Sequence, residues 1–321
     1  MKAVVQDRYG PPEVLHVEDV PAPVPKDDEV LIRVRASTVS QSDTHVRAAH
    51  PFFWRLIAGF RRPRWRTLGV DLAGEVEAVG SAVTEFKVGD HVFGQPRWVG
   101  AHAELVCLRQ GAVVAHKPAN LTFEEAAAVP DGASQALATL RVADVRQGQR
   151  IVVHGASGSL GTAAIQLAKH MGAHVTAVCS TRHVELVRSI GADDVVDYLR
   201  EDLTTNGQTY DAVIDAAGKY SFSQGRRALK PGGIYVATDG LRNFFWWFWT
   251  WRIGDRRLKF AAGRRNKKDL LFFKQLIEAG KYRPVIDRRY PMEQAADAHR
   301  YVETWRKAGN VILTISGEPG T

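Results

Sequence analysis

From residue 150 to residue 238 the apolar positions come in short blocks of a strand's length. Between the blocks they recur at helical spacing. Ile151-Val152-Val153 is a β-branched run that enters a glycine-rich turn, and Thr162-Ala163-Ala164-Ile165-Gln166-Leu167-Ala168-Lys169 beyond it is rich in helix formers. The unit then repeats. Residues 173–180 read as a second strand and 184–190 as a helix ended by Gly191. Residues 194–197, 210–215 and 234–238 read as further strands, the last preceded by Pro231-Gly232-Gly233. This alternation predicts an α/β fold with a parallel, doubly wound sheet of Rossmann type. Residues 1–116 have a different texture. Short alternating segments at 29–36, 72–79 and 91–94 are divided by Gly10-Pro11-Pro12, Gly80-Ser81 and Gly89-Asp90. They predict a compact β-barrel-like domain.

The turn after the first Rossmann strand carries the chemistry. Gly155, Ala156, Ser157, Gly158, Ser159, Leu160 and Gly161 lie between a strand and a helix, with glycines every third position and Ala156 where a G-x-G-x-x-G run has its first glycine. Small residues let a backbone approach a pyrophosphate, and the helix start offers free N–H groups and a positive dipole end. A dinucleotide is the ligand implied. The next strand ends in Ser180-Thr181-Arg182, where an NAD site would carry an acid for the ribose hydroxyls; the first acid beyond is Glu185. A hydroxyl beside a guanidinium suits a 2′-phosphate, so the cofactor expected is NADP(H). Ligands of doubly wound sheets bind at the carboxyl ends of strands, which adds Tyr198, Ala217, Gly218 and Gly240 as cofactor candidates.

Charge and composition narrow the class. The 321 residues are 45% apolar and 24% charged, ordinary for a globular protein. No apolar run reaches the length of a membrane span, and strand-like Lys2-Ala3-Val4-Val5 stands where a secretory signal would need an apolar region, so a cytoplasmic location is expected. Two cysteines, Cys107 and Cys179, fall in different halves and imply no disulfide framework. The net charge of +8 is local. Residues 47–66 carry six Arg and no acid (+6), and residues 242–268 carry nine Lys or Arg and one Asp (+8), leaving −6 for the remainder. Both stretches contain aromatic runs, Phe52-Phe53-Trp54 and Phe244-Phe245-Trp246-Trp247-Phe248-Trp249-Thr250-Trp251. Three readings are open for them: a lid over a bulky apolar substrate, a peripheral membrane contact through residues 244–251, or a subunit interface. No nucleic-acid recognition motif accompanies the charge.

Six motifs in order resemble the medium-chain dehydrogenase/reductase superfamily, in its zinc-free quinone oxidoreductase-like branch. They are Met1-Lys2-Ala3-Val4, Leu68-Gly69-Val70-Asp71-Leu72-Ala73-Gly74, Val88-Gly89-Asp90-His91-Val92-Phe93-Gly94, Leu121-Thr122-Phe123-Glu124-Glu125-Ala126-Ala127, the glycine turn, and Ala228-Leu229-Lys230-Pro231-Gly232-Gly233. The closing Ala308-Gly309-Asn310-Val311 is similar to the family's last strand and adds Asn310 as a cofactor candidate. The resemblance implies a GroES-like barrel from residues 1–116 and 259–321, a Rossmann domain from 117–258, an active site in the cleft between them, and a homodimer.

It also bears on metal and substrate. Where metal-dependent relatives carry a Cys before an Asp and a His after a Gly, this chain has Ser40 and Val70, and residues 130–135 hold no Cys. No zinc is expected. Hydride chemistry without a Lewis acid favours substrates that form a delocalised anion, namely quinones and α,β-unsaturated carbonyls. The family's cleft pattern Asn-x-x-Asp-x-Tyr-x-Arg reads Ser40-Gln41-Ser42-Asp43-Thr44-His45-Val46-Arg47 here. Ser40 and His45 are the candidates for substrate hydrogen bonding, with His50 a third; Asp43 and Arg47 are also spaced as a helical ion pair. The expected protein is an NADPH-dependent oxidoreductase of quinones or enones; the alternative is a non-enzymatic NADPH-binding sensor.

Overall fold

A computed structural model describes residues 1–50, 52, 54–205, 207–238, 243, 246–247, 250, 255–261 and 265–315. In chain order the first strands and helices are β1 (Lys2–Val5), β2 (His16–Asp19), β3 (Glu29–Val39), α1 (Gln41–Ala48), α2 (Trp54–Ala58), β4 (Leu72–Val79), β5 (His91–Gly94), β6 (Leu105–Arg109), β7 (Val114–His116), α3 (Phe123–Ala127) and α4 (Pro130–Val142). The middle contains β8 (Arg150–His154), α5 (Ser159–His170), β9 (His174–Cys179), α6 (Val184–Ser189), β10 (Asp194–Asp197), β11 (Tyr210–Asp215), α7 (Phe222–Gly225), β12 (Leu229–Ala237) and β13 (Arg257–Phe260). The chain closes with α8 (Lys267–Glu278), β14 (Ile286–Pro291), α9 (Ala295–Glu303) and β15 (Asn310–Thr314).

The chain forms two units, one of residues 1–131, 265–280 and 284 onward, the other of residues 132–264 and 281–283. These limits differ from the sequence expectation of 116/117 and 258/259. The helix α3 packs on β3, β4 and β5, which keeps 117–131 with the first unit. The strand β13 is the edge of the parallel sheet, which keeps 259 and 260 with the second.

In the first unit β3 is the organising strand. Its eleven residues alternate strongly enough to bury Val30, Ile32 and Val34, and it pairs antiparallel with β4, β6 and β15. The sheet runs β14-β15-β3-β4-β5-β7, with β6 beside β3 and only β14 and β15 parallel. Its core gathers Val34, Leu68, Leu72, Val76, Val92, Val311 and Leu313, and each such side chain contributes about 1.5–3 kcal/mol on burial.

In the second unit six parallel strands run β10-β9-β8-β11-β12-β13. This is the dinucleotide-binding order, with the reversal of direction beside β8. One strand corrects the sequence reading. β12 starts at Leu229 rather than residue 234, and Pro231-Gly232-Gly233 is a bulge inside it: the register against β11 shifts between Tyr210 and Ala212, and Gly232 N–H bonds the Asp255 carbonyl at 2.7 Å. Cys107 on β6 and Cys179 ending β9 are both free thiols, and burial pushes each up to about 11. No helix among the described residues is long and apolar enough to cross a membrane.

Candidate functional site

The turn between β8 and α5 is fixed from both sides. The N–H groups of Gly155 and Ala156 both bond the Val178 carbonyl at 3.1 Å, tying the turn to the carboxyl end of β9. Gly155 has φ +75°, and a Cβ there would lie 2.7 Å from that of Ala217. A Cβ on Gly161 would lie 2.3 Å from the Gly155 carbonyl oxygen, so α5 can approach the turn only because that side chain is absent. Those two glycines serve the protein's own packing. Gly158 does not. Its backbone is ordinary (φ −74°), and a Cβ on it would meet nothing nearer than the Gly155 oxygen at 3.6 Å. It occupies the N-cap of α5 without a side chain to cap it, and Ser157, Ser159 and Leu160 around it are partly exposed. A helix N-terminus without a side-chain cap fits a pyrophosphate.

At the end of β9, the Ser180 side chain is buried, while Thr181 and Arg182 are exposed. No carboxylate among the described residues pairs with Arg182. The segment does bond one acid that the sequence order hid. Asp197, last in β10, accepts from Thr181 Oγ1 at 2.5 Å and from the Leu199 N–H at 3.1 Å. The Thr181 hydroxyl, ahead of the other contacts, holds the Asp197 carboxyl below its usual range. Tyr198 follows it, 55% exposed, its N–H bonded to the Cys179 carbonyl at 3.1 Å. Tyr198 and Ser180-Thr181-Arg182 are thus brought together, on the neighbouring ends of β9 and β10.

The end of β11 is built around Asp215, which is fully buried. Its carboxylate accepts from the N–H of Ala217 (3.2 Å) and Tyr220 (3.0 Å) and from the Tyr235 hydroxyl (3.3 Å). His154 Nδ1 lies 3.4 Å away, its ring stacked on Tyr220. This bracing shapes the loop that holds Ala217 and Gly218, the latter at φ +65°, against the glycine turn. Gly240 lies outside the described residues.

The first unit holds the substrate-side candidates. Ser40 caps α1: its hydroxyl donates to Asp43 Oδ2 (2.7 Å) and accepts from the Asp43 N–H (3.2 Å). Asp43 also accepts the Gly69 N–H at 3.0 Å and is fully buried. The helical ion pair of Asp43 with Arg47 is not what forms. Arg47, 1% exposed, turns to the Gly10 carbonyl (3.0 Å), His299 Nδ1 (3.3 Å) and the Glu303 carboxylate. His45 is half-buried in α1, and His50, just beyond the left-handed Ala49 that ends the helix, is exposed. Asn310 opens β15 in this same unit. It is buried, with its amide N–H and backbone N–H both bonded to the Val285 carbonyl (3.1 and 2.8 Å).

Beside the cap lie two acids the sequence did not single out. Asp71 Oδ2 accepts the Thr38 hydroxyl (2.8 Å), and Oδ1 accepts the Gln95 amide and the Asp131 N–H (3.0 Å each). Burial, then the Asp131 charge, push Asp71 well above the usual carboxylate range. Asp131, 3.7 Å from Arg265, is raised by burial as well. Burial also brings the Lys307 ammonium down to about 8.

Residues 26–183 match the alcohol dehydrogenase GroES-like domain, and residues 190–313 match a family described as zinc-binding dehydrogenase. The 2-methylene-furan-3-one reductase of Solanum lycopersicum is 34% identical, over 98% of this chain and 79% of that protein. The NADPH-dependent alkenal/one oxidoreductase of Arabidopsis thaliana chloroplasts is 33% identical with the same coverage. The solved quinone oxidoreductase of Coxiella burnetii superposes with a TM-score of 0.89 at 29% identity, covering 98% of this chain and 99% of that one. The chain belongs to the medium-chain dehydrogenase/reductase superfamily, in its quinone oxidoreductase-like branch. Its fold is that of the superfamily, a GroES-like domain and a Rossmann domain.

Zinc in a superfamily member needs three protein donors. Here the Ser40 hydroxyl is engaged in both directions by Asp43, Val70 is a buried alkyl group, and Asp131 stands against Arg265. This donor set does not fit the metal. Among the described residues, the metal-like trio Asp7, His16 and Glu18 is at the surface, with both acids paired to Arg66. The carboxylates beside these turns that sequence reading missed share one signal: Asp197 and Asp215 are each the last residue of a parallel strand, where ligands of such sheets bind.

Proposed function

We propose that this protein is a zinc-independent, NADP(H)-dependent oxidoreductase that reduces quinones or α,β-unsaturated carbonyls of bulky, apolar character. The observation that carries the reading is Gly158, a glycine the fold itself does not need, before the uncapped N-terminus of α5. The Gly155–Gly161 turn holds the pyrophosphate through backbone N–H groups. Ser180, Thr181 and Arg182 hold the 2′-phosphate, and Tyr198, Ala217 and Gly218 flank the nucleotide. The bound nicotinamide supplies the hydride. His45 donates a hydrogen bond to the carbonyl oxygen on which negative charge develops, from the helix that Ser40 caps through Asp43. The names of the reductase relatives support this substrate class.

The test is NADPH consumption, followed by its near-ultraviolet absorbance, against a panel of enones, enals and quinones. Turnover is expected with conjugated carbonyls and not with simple ketones. Arg182→Ala should raise the KM for NADPH roughly tenfold or more and leave that for NADH unchanged, since the charge-assisted bond it removes exists only with the phosphate. Tight NADPH binding without turnover on any of these substrates would instead favour the sensor reading.

A further inference from the structure

The two aromatic-basic segments differ in burial. Of residues 244–251, only Trp246, Trp247 and Thr250 are described, and Trp246 packs on Phe222 against the Rossmann core, with ring centroids 5.8 Å apart. Trp247 beside it is 43% exposed, and the rest of the expected membrane contact lies outside the described residues. The described side chains of the segment around α2 include three exposed large apolar ones. Phe52, Leu56 and Phe60 are 60, 76 and 62% exposed. Phe52 and Phe60 meet edge to face at 6.1 Å, so these are one patch and not scattered side chains.

The patch is held in place. The Tyr9 hydroxyl donates to the Gly59 carbonyl at 2.7 Å, and the Arg64 N–H to that of Ala58 at 2.6 Å. The Arg55 guanidinium lies over the rings of Phe52 and Tyr9, 5.2 and 5.3 Å from their centroids. Trp65 stacks on half-exposed Trp98 at 5.4 Å and extends the apolar surface. Around it Arg61, Arg62 and Arg64 are exposed, and no carboxylate among the described residues pairs with them. Arg66, by contrast, is neutralised by Asp7 and Glu18.

Exposed rings and an alkyl tip rimmed by guanidiniums match the boundary of a bilayer, where apolar groups enter the acyl region and cations meet headgroup phosphates. A second copy of the chain fits poorly. A two-fold contact through this patch would bring two sets of Arg61, Arg62 and Arg64 into one interface with no carboxylate among the patch residues to pair them. We propose that the surface formed by Phe52, Leu56, Phe60, Arg61, Arg62 and Arg64 docks this protein on anionic membranes. The docking stands independently of the oxidoreductase reading and would give that activity direct access to apolar substrates dissolved in lipid.

The experiment is co-sedimentation of the full chain with vesicles of phosphatidylcholine alone and of a two-to-one phosphatidylcholine–phosphatidylserine mixture. Binding is expected to the mixture only, and to weaken at high salt. Arg61→Gln with Arg62→Gln should reduce partitioning at least about tenfold, at roughly fivefold for each basic residue near an anionic surface. Phe52→Ser with Phe60→Ser should abolish it. These side chains are exposed, so the thermal midpoint of each variant should match the parent and show that the fold is kept. Equal binding to both vesicle types, unchanged binding of the variants, or no binding at all would overturn the proposal. So would self-association in sedimentation velocity that Phe52→Ser removes, which would make the patch a contact between copies.

Discussion

Arg47 and His299 fix each other's chemistry inside the barrel. A guanidinium only donates hydrogen bonds, so the contact at 3.3 Å makes His299 Nδ1 an acceptor and puts its proton on Nε2. Burial first, then His102 and Arg47, hold the ring well below its ordinary value of 6.5. The folded state thus refuses a proton that the unfolded chain accepts. Stability from this residue is complete above about pH 6.5 and is lost as pH falls from there toward the depressed folded value. Urea unfolding should therefore show stability declining below that pH by up to about 1.4 kcal/mol per unit, and His299→Gln should flatten the decline. Identical slopes in the two proteins would contradict a buried neutral ring. Nothing in the sequence pointed to this pair. Arg47 reads as the helical neighbour of Asp43, and its side-chain partners are about 250 residues away, on α9. Ser40 and Asp43, three residues apart, were read separately, one as a substrate donor and the other as a partner of Arg47, and not as a cap with both oxygens of the acid in use.

At the level of elements, the β8–turn–α5 unit was legible almost to the residue, because a strand, a glycine turn and a helix start leave local signals. What the spacing of three glycines does not reveal is that they have different duties. Gly161→Ala puts a carbon 2.3 Å from a backbone oxygen and should destabilise the protein by about 1–3 kcal/mol in urea unfolding. Gly158→Ala meets no such obstacle and should cost under about 1 kcal/mol, yet weaken NADPH binding roughly tenfold in a fluorescence titration. A Gly158→Ala protein that unfolds while still binding NADPH normally would reverse that assignment. The misread start of β12 has a comparable cause. Pro231-Gly232-Gly233 has turn chemistry, and only its pairing to β11 and the bond from Gly232 to Asp255 show that the strand passes through it. The acids at the ends of β10 and β11 escaped notice because their partners, Thr181 just after β9 and His154 at the end of β8, come from other strands.

For the whole molecule, the change in texture near residue 116 announced two kinds of architecture. Their limits were less readable, since α3 and β13 join their units by packing and not by any change in composition. Charge was legible as local but not as directed: only the structure separates Trp246, facing the core, from Phe52 and Phe60, facing out. The two thiols have a consequence at this scale. Conjugated carbonyls are soft electrophiles that alkylate thiolates, so an enzyme that reduces them works among molecules able to inactivate it. With both thiols pushed up to about 11, Cys107 and Cys179 carry on the order of a hundredfold less thiolate at neutral pH than ordinary cysteines. Intact-mass measurement after exposure to methyl vinyl ketone should find the folded chain unmodified and the urea-unfolded chain doubly alkylated; rapid alkylation of the folded chain would contradict it. Burial that serves the sheet at β6 and β9 would then also make the catalyst tolerant of its own substrates.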